Sequence, residues 1–208
     1  MKKFVLLALL WLTLNPLVTT ADERHDSDIV VKVQIEGENV SVDVSMPVEA
    51  GRELVWAVLT DFSHMASFIG NVRESKVVSS QGDVLVISQR GTAKYGPLDF
   101  PFESTREIRL TPWDSIQSRL ISGNMRKMQG LTLLSDSGSA TRIEYHADSI
   151  PGTWIPPFVG KTFIAHEMRE QFQQMRDEIM RRKLRLENKY HRWSYSGISA
   201  RERAGNGV

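Results

Sequence analysis

Hydrophobic residues near the carboxyl end of the chain recur at helical spacing. Ile164, Met168, Phe172, Met175 and Ile179 follow one another at intervals of 4, 4, 3 and 4 residues. At about 100° per residue, these side chains fall within an arc of about 80°. The pattern predicts a long amphipathic helix. Burial of each apolar side chain contributes about 1.5–3 kcal/mol, so the stripe decides which face of the helix turns inward.

The centre of the chain alternates between β-rich runs and turn-forming residues. Residues 29–35 and 40–46 are typical of a hairpin across the turn "EGEN". Six further strand-like runs follow between residues 72 and 150, separated by stretches such as "SSQGD" and "TPWD". Turns this short force neighbouring strands to be antiparallel, because a parallel pair needs a crossover of about a dozen residues. The pattern therefore predicts a curved antiparallel meander.

Two short helices are predicted between the hairpin and the meander. Residues 49–59 place Leu54, Val55 and Val58 on one helical face, and residues 63–69 follow as a second, shorter helix. Together the elements predict an α+β fold in which a curved antiparallel sheet wraps around the long C-terminal helix. Such a sheet need not close completely on the helix, so we expect a cavity between them.

Three segments carry a family resemblance. "VWAVLTDFSHMASFIGNVRESKVV" (55–78) matches two opening helices and a strand, "SATRIEYHAD" (139–148) a last strand, and "FVGKTFIAHEMREQFQQMRDEIMRR" (158–182) a gripping helix. They resemble the START-like (SRPBCC, helix-grip) superfamily, in particular its polyketide cyclase/dehydrase and coenzyme Q-binding groups. The resemblance covers residues 38–187; the chain departs from it by an additional strand at 29–36 and by a basic, aromatic tail.

The resemblance implies a pocket for a hydrophobic small molecule such as a lipid, a quinone or a polycyclic compound. It places the irregular segment "SIPGTWIPPFVG" (149–160) at the pocket mouth, where Trp154 and Phe158 would contact the ligand. The alternative is that these two side chains simply cover the core. On the helix stripe, the ligand contacts are predicted at Ile164, Met168 and Phe172.

Strand parity places two polar side chains on the inner face of the sheet. Arg106 shares one face with Ile108, and Tyr145 shares one face with Ile143. A guanidinium on that face needs a partner, so Arg106 either grips the polar end of a ligand, pairs with an interior carboxylate or reaches solvent at the end of the sheet. The Tyr145 hydroxyl either orients a ligand carbonyl or is satisfied by water in a packed core.

The sequence predicts no catalytic residue, no metal and no cofactor. It has no Cys, no G-x-S-x-G motif and no Walker-type loop. The stretch "HEMRE" has Glu170 where a zinc helix of the H-E-x-x-H type requires a second histidine, and His166 points away from the apolar stripe. His64, in the second short helix, either reaches the pocket or stays at the surface.

The amino terminus has the layout of a secretory signal peptide. Two lysines precede an apolar run that ends at Asn15 and Pro16, with small residues at 19–21. The run is too short to span a bilayer, which needs about 20 residues. We expect residues 1–21 to be removed and the protein to be periplasmic or secreted; an uncleaved membrane tether is the alternative. Without Cys, neither a lipoprotein anchor nor a disulfide framework can form.

Charge and length limit the partners and the domain count. The chain has 26 Lys and Arg against 25 Asp and Glu, and the predicted signal peptide removes two of the lysines. A nearly neutral protein is not expected to bind nucleic acid, because that binding depends on neutralising many phosphates. Residues 22–187 are long enough for one domain with one core.

The tail, residues 188–208, lacks helical periodicity and is predicted to be loose. It mixes cations with aromatics, as in Arg192 and Trp193, a combination suited to a membrane interface. Three functions remain open on the sequence. The protein is a non-catalytic carrier of a hydrophobic molecule, a cyclase or dehydratase that uses the same cavity, or an interaction module whose rim and tail contact a membrane or a partner.

Overall fold

Eight antiparallel strands form a curved open sheet that lies against one long helix. The structure, a computed structural model, describes residues 28–95, 98–152 and 157–205, and the side chains of residues 28–94, 99–152 and 160–189. This architecture confirms the predicted α+β fold class. The strands are β1 (Val30–Glu36), β2 (Asn39–Val48), β3 (Val72–Gln81), β4 (Val84–Tyr95), β5 (Leu98–Thr111), β6 (Ser115–Gly123), β7 (Met125–Ser137) and β8 (Ala140–Pro151); the helices are α1 (Arg52–Leu59), a 3₁₀ helix (Phe62–Ser67) and α2 (Pro157–Gly205).

The sheet order places the first hairpin next to the last strand. The strands lie in the order β1-β2-β8-β7-β6-β5-β4-β3 across the sheet, so β3 to β8 form the predicted meander. Gly82 and Gly138, in the turns that follow β3 and β7, have φ angles of 57° and 67°. Residues with a Cβ rarely adopt these angles, which makes glycine the natural choice. Because β2 and β3 lie far apart in the sheet, the connection through α1 and the 3₁₀ helix must cross it.

Strand β2 shows why the sheet buries one face. Its Val42, Val44 and Met46 are buried, while the intervening Asp43 and Ser45 are only partly so. Successive side chains of a strand point to opposite faces, so this alternation of apolar and polar residues produces one inner and one outer surface. The inner surface carries the core.

Helix α2 turns its predicted apolar stripe toward that inner surface. Phe172 and Ile179 are 4% and 0% exposed, and Ile164, Met168 and Met175 are partly buried against the same core. Helix α1 packs on the core with Val55 and Val58. The 3.6-residue period therefore predicted the orientation of the long helix correctly.

Helix α2 is longer than the sequence suggests. Its backbone remains helical through Gly205, over most of the segment at 188–208 that was predicted to be a loose tail. No proline follows Pro157, so nothing sterically prevents the helix from continuing beyond its core-facing part. Among the residues that the structure describes, no helix combines the length and the apolar character needed to cross a bilayer. The predicted signal peptide at 1–21 lies outside the described residues.

Candidate functional site

A cavity of about 150 Å³ lies between the inner face of the sheet and helix α2. Its walls come from three places: the connection that crosses the sheet, the strands β3 to β8, and α2. The described residues that line it are Leu59, Phe62, Met65, Ile69, Val72, Gln89, Arg106, Ile108, Ile116, Ser118, Thr132, Tyr145, Met168, Gln171, Phe172 and Met175. Most of these side chains are apolar, and the few polar ones come mainly from the strands.

The structure brings together four of the seven predicted ligand contacts. Arg106, Tyr145, Met168 and Phe172 all line the cavity. Ile164 is partly buried against the core but is not among the lining residues. The apolar stripe defines the face of α2 correctly, but Ile164 lies one turn before Met168 along the helix axis, outside the cavity wall. Trp154 and the side chain of Phe158 lie outside the described residues.

Arg106 reaches the cavity from β5 and is held by an amide. Its Nη2 donates a hydrogen bond to Oε1 of Gln89. The Nε2 of Gln89 in turn donates to Oγ of Ser75 at 2.9 Å, and both Gln89 and Ser75 are buried. The Nε atom of Arg106 is buried without a hydrogen-bond partner. Among the described side chains, the partner of Arg106 is therefore a neutral amide and not the interior carboxylate that was one alternative.

Tyr145 lies on the inner face of β8 beside α2. Its ring centroid is 5.6 Å from that of Phe172, in a tilted arrangement. Gly130, on the neighbouring strand β7, leaves room for the phenol: a Cβ at that position would lie 3.5 Å from the Tyr145 hydroxyl oxygen and 2.9 Å from Oγ of Ser118. The lack of a Cβ at Gly130 therefore leaves room for the Tyr145 phenol and the Ser118 hydroxyl beside strand β7.

Burial shifts the pKa of both polar groups away from the charged form. It lowers the pKa of Arg106, and the neighbouring phenol opposes this shift. It raises the pKa of Tyr145 above its ordinary value of 10.0, although the charge of Arg106 acts in the other direction. An arginine stays protonated even when its pKa falls, because its starting value is so high. At neutral pH the wall therefore presents a guanidinium cation and a neutral hydroxyl.

Residues 61–71, which we call the crossing segment, form one side of the cavity and are joined to α2 by polar contacts. The Nη2 of Arg182 donates to Oδ2 of Asp61 at 2.7 Å. The backbone N–H of Gly70 donates to Oε1 of Gln174 at 2.7 Å, and Nδ2 of Asn71 donates to Oε2 of Glu167 at 2.9 Å. The wall that carries Phe62, Met65 and Ile69 is thus fastened to the helix along its length.

A charge network lies at the carboxyl side of this junction. Glu178 is buried and accepts hydrogen bonds from Arg181 and Arg182, the latter at 2.6 Å from Nε. The hydrogen bond from Arg181 holds the pKa of Glu178 below its usual range, against the effect of burial. Burial would raise the pKa of Asp61, but its hydrogen bonds with His64 and Arg182 outweigh this and lower it.

None of the three histidines whose side chains the structure describes lines the cavity. His64 is 72% exposed and bonds to Asp61 at 2.6 Å, so it takes the surface role that was one of its two alternatives. His166 is exposed, as the helix geometry predicts, and lies 3.6 Å from Glu170. With the half-buried Glu167 these two residues form a cluster whose ligand atoms lie within 4.8 Å of one another. Clusters of this kind are common on protein surfaces.

The sequence analysis missed three polar residues that lie in the cavity wall or directly behind it. Gln89 and Ser75 hold Arg106 in place, and Gln171 adds an amide from α2. Gln89 shares strand parity with the apolar Ile87, and a polar residue at such a position is a signal that could have been followed. Nothing comparable marks Ser75, whose role depends on the register between β3 and β4.

Comparison with known proteins supports the fold. Residues 39–180 match the family described as polyketide cyclase/dehydrase and lipid transport. Similar structures are a STAR-related lipid transfer protein from Xanthomonas axonopodis, with 13% identity, TM-score 0.61 and coverage of 74% of this chain and 94% of that one, and the Zhui aromatase/cyclase from Streptomyces sp. R1128, with 16% identity, TM-score 0.58 and coverage of 69% and 95%.

A START superfamily protein from Mycobacterium smegmatis is similar to the same degree, with 12% identity, TM-score 0.58 and coverage of 68% of this chain and 97% of that one. No curated protein matches the sequence. Identities this low show a shared fold, whereas the family match extends over more than half of the chain. The START-like resemblance of the sequence is therefore confirmed, and the chain belongs to the polyketide cyclase/dehydrase and lipid transport family.

Proposed function

We propose that this protein binds a hydrophobic small molecule between the sheet and helix α2 and carries it without chemical change. The observation that supports this most is the cavity itself, which leaves space beneath Met168 and Phe172 where a packed interior would place side chains. Membership of a family described by lipid transport as well as cyclisation agrees with the proposal.

The size of the cavity limits what fits without movement. Cavities of about 150 Å³ hold a benzene-sized molecule, whereas pockets for larger ligands measure about 300–1,000 Å³. A lipid, a quinone or a polycyclic compound therefore needs more space than this cavity offers, and we propose that the crossing segment moves away from α2 to provide it. The polar contacts at Asp61, Gly70 and Asn71 are the ones that such a movement would break.

A fluorescent neutral probe tests the proposal directly. The wild-type protein, purified from bacteria, should bind N-phenyl-1-naphthylamine, and extraction with organic solvent followed by mass spectrometry should recover a bound apolar molecule. Thr132→Phe fills the cavity wall and should abolish probe binding. Leu133→Phe on the same strand is the matched control, because Leu133 is 41% exposed on the other face. Absence of probe binding and of any extracted molecule would rule the carrier out.

A cyclase or dehydratase activity is the second candidate, and the position of Arg106 and Tyr145 on the same cavity wall favours it. A partly buried cation and a neutral phenol on one wall are groups that can stabilise an oxyanion as it develops. The exposed His64 is no longer a candidate for this chemistry. If Arg106→Met and Tyr145→Phe each leave the turnover of accepted polyketide-like substrates intact, this function is excluded.

Export and membrane contact complete the proposal. A carrier of hydrophobic molecules outside the cytoplasm fits the signal peptide predicted at residues 1–21. The tail at 188–208 mixes cations with aromatics in its sequence, and we propose that it contacts a bilayer surface. Two measurements test these points: the amino-terminal residue of the protein recovered from a periplasmic fraction, and the vesicle binding of a chain that ends at residue 187.

A further inference from the structure

The polar end of the cavity holds a cation without an anion. Arg106 is the charged side chain among the described lining residues, and none of those residues is an aspartate or a glutamate. Within the described part of the chain, Arg106 takes part in no ion pair; its hydrogen-bond partner is the amide of Gln89. Burying a cation is costly unless an opposite charge accompanies it. The arrangement is therefore incomplete as it stands.

The hydrogen bonds around Arg106 leave part of its guanidinium free. Ser75 accepts from the Gln89 amide nitrogen at 2.9 Å, which turns the Gln89 oxygen toward Arg106. A guanidinium carries five N–H donors, and the Nε of Arg106 is buried with no acceptor. Gln89 and Ser75 thus fix the orientation of the cation and do not neutralise it.

The surroundings of Arg106 match a ligand with one charged end and one apolar ring. Tyr145 lines the same wall and is protonated, so it can donate to an anionic oxygen. Phe172, Met168 and Ile108 supply apolar surface beside it. The volume of about 150 Å³ accommodates about one six-membered ring.

We propose, building on the hydrophobic-ligand function above, that the ligand carries an anionic head that pairs with Arg106, and that a carboxylate on a single ring or a short hydrocarbon fits the cavity without rearrangement. A planar carboxylate accepts two parallel N–H bonds from a guanidinium, which a neutral carbonyl or alcohol cannot reproduce. A neutral lipid or quinone of the same size leaves the cation unpaired.

Three probes of nearly equal shape test the proposal: benzoate, benzyl alcohol and benzylamine, each titrated into the wild-type protein by calorimetry at pH 7. We expect benzoate to bind at least about tenfold more tightly than benzyl alcohol, because a charge-assisted pair is stronger than a neutral hydrogen bond. Benzylamine should bind weakest. Phenyl phosphate, as a fourth probe, distinguishes a carboxylate head from a phosphate head.

Variants locate the effect. Arg106→Met removes the charge with little change in volume and should abolish the preference for benzoate over benzyl alcohol. Arg106→Lys keeps the charge and should retain a reduced preference. Arg119→Met is the matched control, because Arg119 is 71% exposed on the sheet and should leave all affinities unchanged.

The outcomes separate this inference from the proposed function. Equal affinity of the wild-type protein for benzoate and benzyl alcohol, with the naphthylamine probe still bound, overturns the anionic head and leaves the hydrophobic carrier in place. Failure of every probe, including the neutral fluorescent one, overturns the carrier itself. The wild-type comparison needs no variant, so it decides the question even if Arg106→Met does not fold.

Discussion

The two halves of α2 that face the sheet differ in what lies beneath them. Phe172 lines the cavity, with its ring beside Tyr145. Ile179, two turns later, is fully buried in the core, next to the network of Glu178 and Arg182. The same apolar stripe therefore lines the cavity around Phe172 and packs into the solid core around Ile179. Knowing which face of a helix is apolar does not reveal which part of that face lies over a cavity.

Replacing Ile179 should give the largest effect on stability. Ile179→Ala removes a fully buried side chain and should lower the free energy of unfolding by about 2–5 kcal/mol. Urea denaturation followed by circular dichroism measures this. Leu184→Ala on the same helix is the control: Leu184 is 56% exposed, so its loss should be about 0.5 kcal/mol or less. If Ile179→Ala lowers the free energy of unfolding by less than about 1 kcal/mol, the part of α2 around Ile179 is not tightly packed against the sheet.

Replacing Phe172 should cost less than its size suggests. A phenylalanine in a packed core loses about 3–5 kcal/mol on replacement by alanine. Phe172→Ala should stay below about 3 kcal/mol, because part of the ring already faces empty space and fewer contacts are lost. The same denaturation experiment decides. If both Phe172→Ala and Ile179→Ala lower the free energy of unfolding by the full amount expected for a packed core, the interior is solid along the whole stripe. The two halves of α2 would then not differ.

Acid should weaken the solid half through Glu178. The folded-state pKa of Glu178 lies below its ordinary value of 4.5, so its contribution is fully present above that pH and is lost as the pH falls through the folded-state pKa. Asp61 shifts in the same direction. Glu178→Gln should cost about 1–3 kcal/mol at neutral pH and flatten the fall in stability on acidification.

Stability measured from pH 7 to pH 3 checks this prediction against a matched variant. Glu170→Gln lies on the exposed side of the same helix and should leave the acid dependence unchanged. If Glu178→Gln and the wild-type protein lose stability in parallel on acidification, then the network beside Ile179 does not supply the acid sensitivity.

The sequence predicted the fold well because its signals are local. The helical spacing of the apolar residues identified α2 and the face that it turns inward. The closely spaced turn residues required the strands of the meander to be antiparallel. Strand parity placed Arg106 and Tyr145 on the cavity wall, since parity needs knowledge of one strand only. Each of these predictions depends on neighbours within a few residues.

The parts that were not predicted depend on contacts between distant segments. The hydrogen bond between Gln89 and Arg106 follows from the register of β4 against β5, which no periodicity reveals. Arg176 and Glu178 lie about 40° beyond the two edges of the apolar stripe, yet both are buried, because the sheet and the crossing segment enclose more of α2 than an arc of about 80°. Ile164 shows a different limit of the sequence pattern. The apolar stripe predicts which face of α2 turns toward the sheet, but it does not predict where along the helix axis the cavity lies.

The smallest effect should come from His146, on the outer face of the strand that carries Tyr145. Its hydrogen bond with Asp43, at 2.7 Å, raises the pKa of His146 above its ordinary value of 6.5, and burial opposes this only in part. The contribution is therefore fully present below about pH 6.5 and is lost as the pH rises through the folded-state pKa. Because both partners are half-exposed, His146→Asn should cost less than about 1 kcal/mol at pH 5.5 and less still at pH 9.

This prediction isolates the cavity from the surface behind it. Benzoate affinity at pH 7 should be the same for His146→Asn and for the wild-type protein, because the imidazole lies on the face of β8 opposite Tyr145. Calorimetry on both proteins provides the measurement. A change in benzoate affinity of more than about threefold would show that a substitution on the outer face of β8 affects the cavity wall around Arg106 and Tyr145. The cavity beneath Phe172 could then not be treated as independent of the outer surface of the sheet.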